Sequence, residues 1–539
     1  MDNTIINLKS LLLNAYDHLK NKNYNEGKIL LEKINSINPH IFEVNYNLAI
    51  INSQLSNFDT AISYFKKAKK INPNVVSLYN NLGVAYENNQ EIDLAITTYK
   101  KAIDVDSKNS LAFFNLGTIY KKNNVIGKAE YNLIKSIDLD PNFIPSYNNL
   151  FDLYDRSNQV EKYSELLEKA LNLFKDRNIT NLYSGIHEYK KKNYQNSINF
   201  LENIDFDKKE YKKNIHRYGL LAKCYDQLKK YNKAFYYFTL NNNSVNEYYG
   251  RNINEKNYIK YVKQRIDFFE NFNIKKWKIN SANYTTSDPI FLIGFPRSGT
   301  TLLDTILRTD KSVEVLEEKP IIKNFLIKLE QKTKNDFIQL ENLDENYVKE
   351  MQKFYFSERR KFLDNKKSKI VIDKLPLNIV HVGEIVRFFP KAKFIFALRH
   401  PYDSVLSCFM QHFTLNPAMK NFLNIETSGY LYDLVMRLWV IYRKNFELNF
   451  HIIKYEDIVL DFEKTTKNIF KFINIPWSDD IKNFHLTAKK RIDISTPSYN
   501  QVTSPLYTNS INKWKNYDEK LKCVKVYLDQ WVKYFDYKV

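Results

Sequence analysis

The first half of the chain repeats itself every 34 residues, and this spacing constrains the fold more than any other feature of the sequence. Residues that end helix-like segments lie 34 positions apart, at Pro39, Pro73, Ser107 and Pro141. Small residues recur in the same frame at Ala61, Ala95 and Ala129, and leucines recur at Leu48, Leu82, Leu116 and Leu150. A unit of this length cannot bury its own apolar face, so neighbouring units must stack. The spacing therefore predicts an α-helical solenoid built from pairs of antiparallel helices.

This pattern resembles the tetratricopeptide repeat, in which small residues let two helices approach and large residues fill the space between units. The clearest units span 42–143. We expect the array to cover 1–245, a helical linker to cover 246–287 and a second domain to cover 288–539. The resemblance implies a concave groove that receives a peptide or protein partner. A purely structural spacer is the alternative.

The charge and the cysteine content narrow the classes of ligand. The formal net charge is +20, which favours an anionic ligand, but Lys and Arg form no block of five or six, so no nucleic-acid partner is expected. Cys224, Cys408 and Cys523 match neither a disulfide framework nor a metal-binding pattern. The first residues lack the pattern of a signal peptide, and no apolar run reaches about 18 residues. We therefore expect a cytoplasmic protein with no metal site and no transmembrane segment.

A phosphate-binding loop is indicated near residue 290. The apolar run 291–293 predicts a buried strand, the loop 294–301 follows it, and an amphipathic helix begins at Thr301. Thr300 stands where nucleotide-hydrolysing P-loops carry a lysine, which argues against phosphoryl transfer from ATP–Mg. The loop still offers backbone N–H groups, hydroxyl groups and the guanidinium of Arg297 to an anion.

Alternating strands and helices in this half predict an α/β domain with a mostly parallel sheet. Further strands are expected at 369–372, 393–398 and 451–454, and helices at 379–389 and 457–473. In such sheets, ligands gather at the carboxyl ends of the strands. Arg297, Lys374 and Arg399 each follow a predicted strand, so we expect them to share one site.

Two motifs together, PRSGTT at 296–301 and LRHPYDSVLSCFMQH at 398–412, resemble the sulfotransferase family. The domain order is similar to that of bacterial tetratricopeptide-repeat sulfotransferases, and the second domain resembles tyrosylprotein sulfotransferases. The resemblance implies a P-loop-like sulfotransferase domain that moves a sulfuryl group from PAPS (3′-phosphoadenosine-5′-phosphosulfate) to an acceptor hydroxyl. No metal is implied.

The resemblance also implies which residues bind the nucleotide. The 5′-phosphosulfate would be bound by the loop residues Pro296, Arg297, Ser298, Gly299, Thr300 and Thr301. Arg399 and Ser407 would hold the 3′-phosphate, and Lys513 and Trp514 would lie near the nucleotide.

The catalytic groups follow from the same resemblance. Glu317, in VLEEKPII at 315–322, best matches the glutamate base of the family; Glu318 and His412 are the alternatives. Arg297 and Lys374 would stabilise negative charge at the reacting oxygens, and Ser498 would lie near the bridging oxygen.

The acceptor stays open at this point. A protein or peptide tyrosine is favoured by family likeness, and a saccharide or lipid hydroxyl is the alternative acceptor. Two other readings of the chain compete with a sulfotransferase: a nucleotide-dependent kinase, and a repeat scaffold with an inactive nucleotide-binding domain.

Overall fold

The chain divides after Asp205. The structure, a computed structural model, describes residues 2–21, 23–157, 159–272, 277, 288–334, 337–363, 369–490, 506 and 510–538. One unit covers Met1–Asp205 and a second covers Phe206–Val539. The repeat pattern puts the end of the array near residue 245, whereas by contact the helices over 211–245 group with the second unit.

The first unit is helical, in agreement with the solenoid predicted from the spacing. Its helices, α1 to α12, are Asp2–Lys20, Tyr24–Ile37, Phe42–Gln54, Phe58–Ile71, Val76–Asn88, Ile92–Val105, Ser110–Lys122, Ile126–Leu139, Ile144–Arg156, Val160–Leu173, Arg177–Lys190 and Tyr194–Glu202. Helices pack in consecutive pairs, such as α3 on α4 and α5 on α6, and each pair also contacts the next. This arrangement is the stacking that the repeat requires.

Small residues at the recurring positions explain why the helices of a pair can approach. Ala61, Ala95 and Ala129 are fully buried. Gly83 on α5 lies against the ring of Tyr99 on α6, so closely that an added Cβ would overlap that ring. The small residue of one helix therefore makes room for the large residue of its partner.

The second unit contains a parallel sheet of five strands among the described residues. The strands are β1 Ile290–Gly294, β2 Val313–Glu317, β3 Ile370–Lys374, β4 Lys393–Leu398 and β5 Asn449–Lys454. Their order across the sheet is β2-β3-β1-β4-β5. All four pairings are parallel, which confirms the α/β prediction for this half of the chain.

The central position of β1 matters for the site. It pairs with β3 on one side and with β4 on the other, with Leu292 opposite Lys374 and Gly294 opposite Ala397. The carboxyl ends of these three strands therefore lie side by side, at the edge where ligands bind in such sheets.

Helices precede, separate and follow the five strands along the chain. The α-helices, α13 to α26, are Tyr211–Gln227, Tyr231–Val245, Lys256–Glu270, Thr300–Leu307, Ile321–Thr333, Glu345–Arg360, Val382–Phe388, Pro401–Phe409, Ile425–Asn445, Tyr455–Leu460, Phe462–Phe472, Phe484–Lys490, Asp518–Leu521 and Lys525–Tyr534. A π-helix covers Asn246–Gly250, and 3-10 helices cover Phe337–Leu340, Pro376–His381, Met419–Leu423, Asp479–Asn483, Lys513–Tyr517 and Lys522–Val524. Across the ranges described above, no helix combines the length and the apolar character needed to cross a membrane.

Two predicted helices differ in detail from the structure. The helix expected at 379–389 begins earlier, as the 3-10 turn Pro376–His381, before α19 continues it. The helix expected at 457–473 is two helices, α22 and α23, which meet at Asp461. The Asp461 carboxylate accepts the N–H of Lys464 and so caps the start of the second helix.

Candidate active site

A tight loop joins the central strand β1 to helix α16. Arg297 (φ 68°) and Gly299 (φ 93°) both adopt left-handed backbone conformations, and Gly299 directly precedes the helix. An added Cβ on Gly299 would lie 3.0 Å from Cδ2 of Tyr455, so glycine suits this position on two grounds. The loop therefore has the form of a backbone cradle at a helix N-terminus, which suits an anion.

The predicted phosphosulfate-binding residues all lie in or beside this cradle. Ser298, Thr300 and Thr301 are buried, and the Ser298 Oγ has no hydrogen-bond partner among the described residues. The carbonyl of Pro296 accepts a hydrogen bond from Cys408 Sγ at 3.3 Å. Burial raises the pKa of Cys408, so this thiol is a neutral structural donor and not a nucleophile.

The two arginines and Ser407 converge on the same loop. Arg297 Nε donates to Ser407 Oγ at 3.1 Å, and Arg399 Nη1 donates to the carbonyl of Arg297 at 3.3 Å. The Arg399 guanidinium lies over the ring of Tyr455, 5.1 Å from its centre. Arg399 is buried, and its Nε has no hydrogen-bond partner in the described part of the chain. The structure therefore brings Arg297, Arg399 and Ser407 together at this loop.

Glu317 and Lys374 form an ion pair at the ends of β2 and β3. The two residues are register partners, and Lys374 Nζ donates to Glu317 Oε1 at 3.2 Å. Lys374 also donates to Glu318 Oε1 at 3.3 Å, and the Glu318 N–H donates to the Lys374 carbonyl at 2.8 Å. Lys374 is 0% exposed, and Glu317 is also buried, whereas the Glu318 side chain is 44% exposed. The pair is therefore an acid and a cation held together at a strand end next to the loop.

Trp514 packs beside the start of helix α20. Its ring stacks on those of Tyr402 and His400, with centres 4.7 Å and 5.1 Å apart. The Trp514 N–H donates to Asp403 Oδ1 at 2.8 Å. Burial lowers the pKa of His400 to about 4, so this imidazole is neutral near pH 7. Its stacked ring therefore makes an uncharged, apolar contact.

The remaining predicted residues take other positions. Lys513 pairs with Asp226 of α13, with Nζ 2.6 Å from Oδ2. His412 is exposed on the loop after α20, with its ring 6.3 Å from that of Tyr249. Ser498 lies outside the described residues. In the ranges given above, no cluster of three or more His, Cys, Asp and Glu residues could hold a metal ion.

Two site residues carried no predicted role. Asp403 accepts the N–H groups of Asn512 and Trp514, and Glu456 accepts the N–H of His400 at 2.9 Å. Asp403 lies in the motif at 398–412, but the partners of Asp403 and Glu456 are more than fifty residues away in the chain. No local sequence pattern could therefore have predicted these two contacts.

Family models match both halves of the chain. Residues 289–479 match the sulfotransferase family. Residues 42–75 match the tetratricopeptide repeat model, and residues 88–124 match a second model of the same repeat. The first match spans the loop, all five strands and both arginines of the site.

The chain is similar to other proteins at low identity. A protein of Aquifex aeolicus, named only as uncharacterized, is 26% identical over 310 residues, which cover 56% of this chain and 40% of that protein. Protein-tyrosine sulfotransferase 1 of Danio rerio is 26% identical over 240 residues, which cover 42% of this chain and 65% of that protein. The matched region thus covers less than two thirds of either relative.

A solved tetratricopeptide repeat protein from Parabacteroides merdae is 13% identical, with a TM-score of 0.35, over 43% of this chain and 90% of that one. The family models, rather than this likeness, identify the two parts of the chain. The chain therefore matches tetratricopeptide-repeat models in its first half and the sulfotransferase-family model in its second half.

Proposed function

We propose that this chain is a PAPS-dependent sulfotransferase. The observation that carries the proposal is the convergence of Arg297, Arg399 and Ser407 on the loop after β1, next to the Glu317–Lys374 pair. Cationic donors beside a backbone cradle suit a ligand with anions at two positions. The sulfotransferase-family match over residues 289–479 supports the same function.

The residues present fit the two anionic ends of PAPS. Ser298 Oγ and Arg399 Nε are buried donors without partners among the described residues, and a buried unsatisfied donor is costly unless a ligand pairs with it. The loop N–H groups, Ser298 and Thr300 would hold the 5′-phosphosulfate. Arg399 and Ser407 would hold the 3′-phosphate, for which a guanidinium with a hydroxyl is a suitable donor set.

Bound PAPS would supply the sulfuryl group: the acceptor oxygen forms a bond to sulfur as the bond from sulfur to the phosphate oxygen of PAP breaks. Glu317 would take the proton of the acceptor hydroxyl as general base. Lys374, already beside Glu317, would donate to the oxygen that gains negative charge, together with Arg297. Burial of Lys374 strengthens such an interaction because the local dielectric is low.

The acceptor we propose is the hydroxyl of a protein or peptide tyrosine. The relatives named protein-tyrosine sulfotransferases support this class, and a repeat array is suited to hold a peptide. A cytoplasmic location is proposed with it, since Cys224, Cys408 and Cys523 form no disulfide bond with one another.

Calorimetric titration of PAP against ADP–Mg tests the cofactor. We expect PAP to bind at least about tenfold more tightly than ADP–Mg, because Thr300 stands where a kinase would need lysine. Arg399→Ala should weaken PAP binding at least about tenfold, the usual loss for a charged hydrogen bond. Arg437→Ala, which removes an exposed arginine paired with Glu270, is the matched control.

The outcomes separate the candidate functions. Equal or tighter ADP–Mg binding would favour a kinase, and folded protein that binds neither nucleotide would favour a scaffold with an inactive domain. If PAP binds, transfer of radiolabelled sulfate from PAPS should be measured on a tyrosine peptide, on its phenylalanine counterpart, and on a saccharide and a lipid that carry free hydroxyl groups. Label on the tyrosine peptide alone supports the proposed acceptor, and label only on a saccharide or lipid hydroxyl would refute it.

A further inference from the structure

A short segment before the C-terminal helices borders the candidate nucleotide site. We name residues 510–517 the Trp514 segment. Its start is held by Arg399, whose Nη2 donates to the Ser510 carbonyl at 2.6 Å. Its middle is held by Asp403, whose two carboxylate oxygens accept the N–H groups of Asn512 at 2.9 Å and Trp514 at 2.8 Å. The segment therefore depends on helix α20 and on the arginine that precedes it.

The opposite side of this segment is held by helix α13. Asp226 Oδ2 lies 2.6 Å from Lys513 Nζ, and Asp226 Oδ1 accepts the Tyr517 hydroxyl at 2.7 Å. Burial and the Asp226 charge raise the pKa of Tyr517, so the phenol keeps its proton and can donate. One carboxylate thus bridges two residues of the Trp514 segment.

Helix α13 is linked to helix α20 through its partner α14, within the second unit. The rings of Phe235 and Phe409 stack with centres 4.9 Å apart, and Tyr231 contacts Tyr517 at 5.1 Å. Asn242 Nδ2 also donates to the Phe409 carbonyl at 2.9 Å. Phe409 is the last residue of α20, the helix that follows Arg399. The same helix therefore contacts both the Trp514 segment and the α13–α14 pair.

The Arg399 guanidinium is oriented by its backbone partners. One nitrogen donates to the Arg297 carbonyl of the loop and another to the Ser510 carbonyl of the Trp514 segment. Nε has no hydrogen-bond partner among the described residues. The direction in which the Nε–H group points is therefore set by the positions of those two carbonyl groups. Movement of the Trp514 segment would therefore turn the guanidinium and change which donor it presents to an anion.

We propose that Asp226 is a positioning residue of the nucleotide site. By holding Lys513 and Tyr517, it fixes the Trp514 segment, and through the Ser510 carbonyl it fixes Arg399. The inference rests on the proposed function. If it holds, the helical pair α13–α14 contributes to nucleotide binding. A repeat that served only to recognise a partner protein would not do so.

The first test is a double-mutant cycle read as PAP affinity in the full chain. Asp226→Ala should weaken PAP binding about 10- to 100-fold, the range for a charge-assisted hydrogen bond. Lys513→Met should weaken it less when Asp226 is already absent than when Asp226 is present, because paired residues do not act additively. Asp226→Asn keeps an acceptor for Tyr517 and should fall between wild type and Asp226→Ala. Glu247→Ala, which removes an exposed pair with Arg251, is the control.

A second readout separates positioning from general stability. Hydrogen exchange of the Asn512 and Trp514 amides, measured without nucleotide, should speed up at least about tenfold in Asp226→Ala, since these N–H groups are protected only while the segment stays on Asp403. The Glu247→Ala control should leave both amides as protected as in wild type.

The outcomes are distinct. Wild-type protein that binds PAP, with folded Asp226→Ala that binds it equally well, overturns the inference and leaves the proposed function standing. Unchanged amide exchange at Asn512 and Trp514 overturns it as well. Wild-type protein that binds no PAP overturns the proposed function, and this inference falls with it.

Discussion

Glu317 and Lys374 occupy matched positions at the ends of β2 and β3, and Lys374 Nζ lies 3.2 Å from Glu317 Oε1. Both side chains are buried. Removing one partner of such a pair leaves an uncompensated charge and typically costs about 3–5 kcal/mol. Substitutions at this site must therefore keep the shape of the side chain if their effect on chemistry is to be separated from their effect on folding.

Glu317→Gln should lower kcat by about a hundredfold or more, the usual contribution of a general base. PAP affinity should change by less than about threefold, because the base contacts the acceptor rather than the nucleotide. Single-turnover transfer and calorimetry on the same preparation provide the two measurements.

Glu318→Gln is the matched control for that substitution. Glu318 also accepts from Lys374, at 3.3 Å, but its side chain is 44% exposed. We expect a less than about fivefold change in kcat, as for an exposed ion pair. The reverse result, with a large loss in Glu318→Gln and none in Glu317→Gln, would assign the base to Glu318.

The convergence of the site could be predicted from the sequence because it depends on local patterns and one topological rule. Arg297, Lys374 and Arg399 each follow an apolar run, and parallel strands place such residues at one edge of the sheet. The alternation of strand and helix was enough to predict that edge. β2 was not predicted, because two glutamates interrupt the short apolar run VEVLE that a buried strand would otherwise show, although all five residues are buried.

The contacts that orient the site could not be predicted in the same way. Lys513 and Asp226 lie 287 positions apart, and Asn512 lies 109 positions from Asp403. The sequence spacing of these two pairs does not indicate that their members are in contact. They come together only because α13, α14 and α20, which are distant from 510–517 in the chain, pack near this segment. The predicted closeness of Lys513 to the nucleotide stays a prediction, and so does the part of Ser498, which lies outside the described residues.

Gly83→Ala should destabilise the first unit by about 1–3 kcal/mol, because the added methyl group overlaps the buried Tyr99 ring and overpacks the helix pair. Urea unfolding followed by circular dichroism measures this change in the free energy of unfolding. Gly127→Ala is the control: its Cβ would meet no atom within 4 Å, and alanine favours the helix by up to about 1 kcal/mol. Equal effects of the two substitutions would contradict the packing proposed for the pair.

Gly299→Ala should weaken PAP binding at least about tenfold. Its φ of 93° costs an L residue about 1–3 kcal/mol, and the new Cβ would press on Tyr455 at 3.0 Å. Relief of this strain would move the loop N–H groups that we propose hold the phosphosulfate. Calorimetry with PAP measures the effect, and Gly127→Ala, in the other unit, should bind PAP as wild type does. Wild-type affinity in Gly299→Ala would exclude the loop as a backbone cradle for the nucleotide.

Asp373, next to Lys374 on β3, should make stability depend on pH in a direction opposite to that of an ordinary paired carboxylate. Burial raises its pKa to about 7, and the Tyr355 hydroxyl and the charge of Arg359 offset this only in part. The ordinary value is 3.8, so between these two values the folded protein holds a proton that the unfolded chain has released. Its contribution to stability is therefore fully present below about pH 4 and is lost as the pH rises to about 7.

Asp373→Asn removes this titration and nearly preserves the shape of the side chain. The free energy of unfolding of the variant, relative to wild type, should increase by about 4 kcal/mol between roughly pH 4 and pH 8, because only wild type must bury a charge at the higher pH. Urea unfolding at several pH values across that range measures the difference. Asp479→Asn, at a carboxylate whose side chain is 83% exposed, should show no comparable change. A relative stability of Asp373→Asn that stays constant with pH would mean that Asp373 titrates alike in the folded and unfolded chains.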